Sequence, residues 1–375
     1  MKNVPKKNIF FDLAKSINLN EMRPLAKSID LNEMRPKGFH ENIEIGLCKI
    51  NENVSSKSGW ISVPNCPICG EHLFDDWMEK YGNLIRRCKG CTHGYASRRP
   101  KKLSEAYENE QQIALSYAAY HEKRRYRIER FATERVDLLK KFKNAGVLLD
   151  FGCGTGWFLE YARKHYEIAG FEPTESLARF TSDLLKIKVE SDTTNLQNNT
   201  FDIITAFDVI EHVSDPKETF QEFSRLLKKD GILLIYTPNA NSIGFDYMME
   251  RQNLVIPPLH LHYFNKKSIE KLGDKPFSLV YFETAGLDIG DIYAYERDKG
   301  NKEFSHFLYD NCQALQTFFD HKGSANHLRA FFRKNQNDNL RTNKLLIHFN
   351  NNALVVKLVD TKDLKAVGFT LESVH

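Results

Sequence analysis

Val147-Leu148-Leu149-Asp150-Phe151-Gly152-Cys153-Gly154-Thr155-Gly156-Trp157 reads as a buried strand that ends in an acid and runs into a glycine loop opening a helix. Glycines at such a junction let backbone N–H groups approach a ligand closely at a helix N-terminus. No Gly-Lys-Ser/Thr ending follows, which removes the phosphate-gripping P-loop. The spacing is GxGxG, not the GxGxxG of dinucleotide sites, and Asp150 stands two residues before Gly152, where a pyrophosphate would be repelled. A cationic ligand fits better.

Outward from this loop, β-branched runs alternate with helical ones: Glu167–Glu172, Lys188–Glu190, Phe201–Phe207 and Gly231–Pro238 as strands, with helices from Phe158, from Thr174 and near Pro216–Leu227. That alternation predicts an α/β fold, a parallel doubly wound sheet with helices on both faces. Past Asn241 come a helical stretch, the segment PPLHLHYF at 257–264, a helix and strand pair up to about Tyr295, and residues 304–333, which read as helices. Upstream, Leu103–Phe142 is nearly free of Gly and Pro and suits one or two helices, whose Tyr107, Tyr117 and Tyr120 read as core or as a lid. The basic stretch Lys123–Arg135 alternates with acids and reads as a solvated helix face.

Cys66-Pro-Ile-Cys69-Gly and Cys88-Lys-Gly-Cys91 give CxxC, eighteen residues, CxxC. Two such knuckles supply the four thiolates of a structural zinc, here a zinc-ribbon-like site. A filled shell leaves no open position for chemistry, so this metal holds the fold. His72 and His93 lie nearby as substitute ligands, while Cys48, Cys153 and Cys312 share no pattern and read as packing residues.

The 375 residues carry 53 Lys plus Arg against 49 Asp plus Glu, a net charge of +4 that gives no field for gripping nucleic acid. A mean hydropathy of −0.49 and the lack of a long apolar run predict no membrane span. No secretory apolar stretch follows Met1, so the expected location is cytoplasmic. LAKSINLNEMRP at 13–24 recurs as LAKSIDLNEMRP at 25–36, a local duplication in a leader. The end of the chain, with VVKLVDTKDLK from Val355, fits nothing before it and reads as an accidental extension. The expected divisions are a leader at 1–58, a zinc-ribbon-like module at 59–100, connecting or lid helices at 101–143, a catalytic domain at 144–300, C-terminal helices at 301–335 and a tail at 336–375.

From about Pro64 to Asn335 the sequence resembles class I S-adenosylmethionine-dependent methyltransferases, in particular the bacterial branch with an N-terminal zinc ribbon and an EHV motif. The resemblance implies a Rossmann-like sheet and S-adenosylmethionine bound by Asp150, Gly152, Gly154 and Gly156. It implies ribose contacts from Glu172, which lies 22 residues after Asp150, adenine near Asp192, and Phe207 and Asp208 on the methionine side. Phe201–Asn239 matches the family's fourth-to-fifth-strand stretch, with Asp230 where the family usually carries Gly.

Transfer to a hydroxyl needs positioning and a proton acceptor. The candidates are His212 after the fourth strand and His260 and His262, which would share one face of an extended run. Asp208, Glu211 and His212 with His260 or His262 also resemble the magnesium-binding set of small-RNA 2'-O-methyltransferases. The leading expectation is methylation of an O or C centre in a small molecule, such as a sugar, glycan precursor or secondary metabolite. The alternatives are an RNA methyltransferase and a non-catalytic cofactor-binding scaffold.

Overall fold

A seven-stranded sheet and a four-stranded sheet share one core. The computed structural model describes residues 48, 51, 52, 54, 59–102, 125 and 127–335, with the backbone of 345–350 and 353–358. Nearly all of the leader with its repeat, Tyr107, Tyr117 and Tyr120, and most of the tail lie outside the described residues.

In chain order the elements are β1 (Trp60–Ser62), β2 (Phe74–Lys80), β3 (Asn83–Cys88), β4 (Gly94–Ala96), β5 (Arg98–Pro100), a π-turn (Ile128–Ala132) and α1 (Thr133–Lys140). Then follow β6 (Val147–Phe151), α2 (Trp157–Ala162), β7 (Glu167–Phe171), α3 (Glu175–Leu185), β8 (Val189–Glu190), β9 (Phe201–Phe207), α4 (Pro216–Leu226) and β10 (Leu227–Pro238). The rest are α5 (Ile243–Met248), β11 (His262–Tyr263), α6 (Lys266–Gly273), β12 (Phe277–Ala285), α7 (Asp288–Asp298), α8 (Lys302–His321), β13 (His327–Lys334) and the hairpin β14 (Leu345–Asn350) and β15 (Ala353–Leu358).

The large sheet has the order β12-β13-β10-β9-β6-β7-β8. Strands β6 to β10 run parallel to one another, and the order reverses between β6 and β9, the switch point beside which ligands bind in open α/β sheets. Its central strands are near-continuous apolar runs because helices cover both faces. Asp215 caps α4, its Oδ1 accepting from the Lys217 and Glu218 amides at 2.8 and 3.1 Å, with Pro216 in the first helical position.

Residues 327–333, expected helical, instead belong to β13, wedged antiparallel between β10 and β12. Leu328, Ala330 and Phe332 join the core on one face, Phe331 joins the core on the other, and buried Arg329 pairs with Glu134 and Glu283 at 3.0 and 2.9 Å. The run buries both faces, so no strict alternation marks it as a strand.

The small sheet, β11-β4-β3-β2, joins the cysteine module to the larger unit, because β11 comes from the segment that follows β10 and α5. Gly94 permits this pairing: a Cβ there would lie 2.8 Å from both Trp77 Cζ3 and Tyr263 Cβ. Cys66, Ile68, Cys88, Cys91 and Tyr95 belong to the same apolar cluster as Ile204, Leu233, Phe264 and Phe332.

Candidate active site

Strand β6 delivers Asp150 to the ligand-binding edge. The side chain is buried, accepts from Thr205 Oγ1 at 2.7 Å, and burial pushes its pKa up to about 7. The loop beyond it turns through Gly152, Gly154 and Gly156 at φ of 81°, 50° and 72°. At Gly152 a Cβ would fall 2.5 Å from Val209 Cγ2, so only glycine fits so close to the turn after β9.

Buried Glu172, at the end of β7, closes the loop from the other side. Its Oε2 accepts from the Gly154 amide and its Oε1 from the Thr174 amide, both at 3.0 Å, while burial raises its pKa. Two carboxylates thus flank the glycine loop, which suits a ligand carrying positive charge and hydroxyls. Asp192 follows β8 and caps the next turn, its Oδ1 taking the Thr194 amide at 2.8 Å. Phe207 and Asp208 end β9, with Asp208 at φ 56°. Burial would raise the Asp208 pKa, but the bond and charge of His327, 3.4 Å away, and the charge of Arg135 bring it below the usual value.

Arg135 departs from the solvated face expected of its stretch. It is buried, with its guanidinium 4.2 Å from the Phe207 ring, 4.3 Å from Tyr236 and 5.0 Å from Trp157. Its Nε and Nη1 have no hydrogen-bond partner among the described residues. A buried guanidinium with two open donors beside Trp157, which follows the glycine loop, has the charge and geometry that suit a carboxylate. Its signal in the sequence is masked by the charges around it. His327, at the start of β13, was missed because its segment reads as helix.

The structure separates the three candidate histidines. His212 and His260 meet edge to face, with ring centroids 4.5 Å apart. Nδ1 of His212 lies 3.1 Å from the Leu259 carbonyl and Nδ1 of His260 lies 2.8 Å from that of Leu254. Burial depresses both, His212 to about 4 and His260 well below its ordinary value, so each is a neutral imidazole. Glu211, fully buried, is driven well above its ordinary value by burial and by Asp208.

His262 points the other way. Its Nε2 lies 2.9 Å from the Val213 carbonyl and its Nδ1 3.2 Å from Nε2 of His93, so both ring nitrogens are engaged. The extended run that would align it with His260 is only two residues long, and strand pairing with β4 turns His262 toward the cysteine module.

Among the described residues, Cys66, Cys69, Cys88 and Cys91 bring their sulfurs within 4.8 Å of one another. Cys66 to Cys91 is 3.5 Å and Cys69 to Cys88 is 3.4 Å, too long for disulfides and close to the edge of about 3.8 Å that zinc–sulfur bonds of about 2.3 Å give. The donor set fits zinc, with amide turns at both knuckles: Gly70 N to Cys66 O at 2.9 Å and Thr92 N to Cys88 O at 3.0 Å. His72 is exposed beside Glu71 and His93 faces His262, so neither joins the set. Cys153 and Cys312 are buried as expected of packing residues, whereas Cys48 is exposed.

Residues 120–275 match the family described as methyltransferase domain. They are a class I methyltransferase domain. Over 117 residues the chain is 29% identical to a ubiquinone biosynthesis O-methyltransferase of Rhodopseudomonas palustris, covering 27% of this chain and 46% of the relative. It is also 33% identical over 129 residues to a protein of Methanocaldococcus jannaschii, covering 34% of this chain and 57% of the other. The chain thus spans about half the length of these curated relatives. Among solved structures, phosphoethanolamine N-methyltransferase 2 of Haemonchus contortus, in complex with S-adenosyl-L-methionine, matches at 16% identity and a TM-score of 0.42, covering 69% of this chain and 71% of that one. Among the described residues no helix is long and apolar enough to cross a membrane.

Proposed function

We propose that this protein is an S-adenosylmethionine-dependent methyltransferase that methylates a hydroxyl of a small molecule, with sugars and secondary metabolites as the acceptor class. The pair of buried acids, Asp150 and Glu172, facing each other across three left-handed glycines carries this reading. Asp150 would receive the ammonium of the methionine moiety, Glu172 the ribose hydroxyls, Asp192 the adenine edge and Arg135 the carboxylate. The cofactor supplies an electrophilic methyl on a sulfonium.

Glu211, His212 and His260 form the acceptor end, holding the hydroxyl and drawing off its proton. The relatives named as O-methyltransferases support oxygen as the accepting atom. The four cysteines hold a structural zinc that fixes the module against the acceptor segment. Incubation with methyl-labelled S-adenosylmethionine and a panel of hydroxyl acceptors, starting with nucleotide-linked sugars, tests the reading. Wild type transfers label, and His260→Ala and His212→Ala lose about a hundredfold in turnover while still binding cofactor. Equal turnover in wild type and both variants would overturn the acceptor-end assignment.

A further inference from the structure

Buried Asn326, between α8 and β13, restricts its neighbour His327. Its Nδ2 donates to Asp291 Oδ2 at 3.1 Å and its Oδ1 accepts from the Leu287 amide at 3.3 Å, so the two ends of the amide cannot be exchanged. Oδ1 also lies 2.8 Å from Nδ1 of His327, and since an amide oxygen only accepts, that Nδ1 carries a proton. The ring plane is held as well, stacked on Tyr236 with centroids 4.7 Å apart and 16° between planes. Nε2 is the nitrogen left to face outward, and it lies 3.4 Å from Oδ1 of Asp208.

Asp208 is pinned to the same residue of β10. Its amide donates to the Tyr236 carbonyl at 2.8 Å, and its side chain is half-exposed. It opens the turn that carries Glu211 and His212, in which the His212 amide donates to the Val209 carbonyl at 3.0 Å. A polar chain from Asp291 through Asn326 and His327 to Asp208 thus runs from buried α7 to the acceptor end.

We propose that His327 is a positioning residue for the methyl transfer: fixed by Asn326 and Tyr236, it donates from Nε2 to Asp208 and holds that side chain, as a carboxylate, beside the acceptor end. This inference rests on the methyltransferase reading. The acceptor oxygen forms its bond to the methyl carbon as the C–S bond breaks, the electrons staying on sulfur, and the hydroxyl proton passes to Nε2 of His260, whose Nδ1 already faces the Leu254 carbonyl. The negative charge of Asp208 favours the imidazolium that results.

The electrostatics agree with this placement. Burial would raise the Asp208 pKa, whereas the bond and charge of His327 and the charges of Arg135 and His212 bring it below the usual value. In turn the Asp208 charge raises His212 and His260 against the depression that burial imposes, and adds to burial in driving Glu211 up. Tyr236, under the His327 ring, also carries the guanidinium of Arg135 at 4.3 Å and that of Arg329 at 5.4 Å, and Asp288 and Asp291 lie behind Asn326. Without His327 the Asp208 pKa rises, so the acid limb of kcat moves to higher pH.

Three replacements separate the donor from the ring. His327→Phe keeps the stack and loses the donor, His327→Gln offers an amide N–H in place of Nε2, and Asp208→Asn removes the charge at a left-handed position that Asn tolerates. With methyl-labelled S-adenosylmethionine and the hydroxyl acceptor that wild type methylates, kcat is expected to fall at least about tenfold in His327→Phe and Asp208→Asn and to recover largely in His327→Gln. Both His327 variants should bind S-adenosylmethionine as wild type does, and the acid limb of His327→Phe should move up by about one pH unit. Nitrogen-15 resonances of histidine-labelled protein read the pair without turnover and keep the test open should His327→Phe misfold: Asp208→Asn should shift Nε2 of His327 and leave Nδ1 protonated. A His327→Phe enzyme with the kcat and pH profile of wild type, a His327→Gln enzyme as impaired as His327→Phe, or an Nε2 resonance indifferent to Asp208→Asn would overturn the proposal while the methyltransferase reading stands. A wild type that neither binds S-adenosylmethionine nor transfers label would overturn both.

Discussion

In the proposed cofactor site, Asp150 is the residue through which solvent pH would act. Burial pushes its pKa up to about 7, above the unfolded carboxylate value, so the folded protein holds a proton there that the unfolded chain would release. Its stability contribution therefore falls as pH rises from about 4 through 7. A cationic ligand reverses the preference and favours the ionised form. Cofactor binding should release a proton near pH 7 and tighten roughly five- to tenfold between pH 6 and 7.5. Calorimetry in two buffers of different ionisation enthalpy checks this, and buffer-independent heats would exclude the link. Arg135, in the proposed reading, meets the carboxylate carried on the same carbon as the ammonium of that ligand: Arg135→Ala should weaken S-adenosylmethionine about ten- to hundredfold, and Arg135→Lys should restore part, since the charge survives without the fork. The strand-end acids Asp150 and Glu172 and the turning glycines were legible because residue type and spacing mark a strand that runs through a glycine loop into a helix. Arg135 was not, since nothing in KRRYRIERFATER distinguishes one inward guanidinium from its solvated neighbours.

Among elements, the short strand β11 joins most parts of the molecule. His262 and Tyr263 pair with β4, the Leu261 carbonyl accepts from Ala96 N at 2.9 Å, and the amides of Leu261 and His262 donate to the Glu211 carbonyl at 2.8 and 3.2 Å. Asn265, capping α6, also donates at 2.7 Å to the carbonyl of Thr92, the residue that follows the second knuckle. The cysteine module thus braces the segment that carries His260 and His262 and the Glu211 backbone, while Asp150 and Glu172 lie on and just after β6 and β7. Stripping zinc with a chelator should lower Tm by at least about 5 °C and reduce turnover far more than cofactor affinity. Thermal denaturation beside a cofactor titration checks the split, and equal losses would show that the ribbon props the whole molecule. The sequence showed the knuckles but not this bridge, because a two-residue strand has no period to read. The same limit hid β13, whose burial on both faces erased the alternation that marks a strand.

At the scale of the molecule, the parallel core from β6 to β10 followed from β-branched runs alternating with helical ones. What the sequence could not supply was the antiparallel insertion of β13 and the pairing of β4 with β11, both contacts between segments far apart in the chain. Asp230 illustrates the agreement: it takes φ 59° in the irregular start of β10, a left-handed position that Asp tolerates better than most residues. The central claim is that the edge between β6 and β9 is a pocket for S-adenosylmethionine. Calorimetric titration of the zinc-loaded protein tests it most directly. The account predicts one cofactor per chain with micromolar affinity, lost when Asp150 and Glu172 are both neutralised as Asn and Gln. A folded, zinc-loaded protein that takes up no cofactor would contradict it.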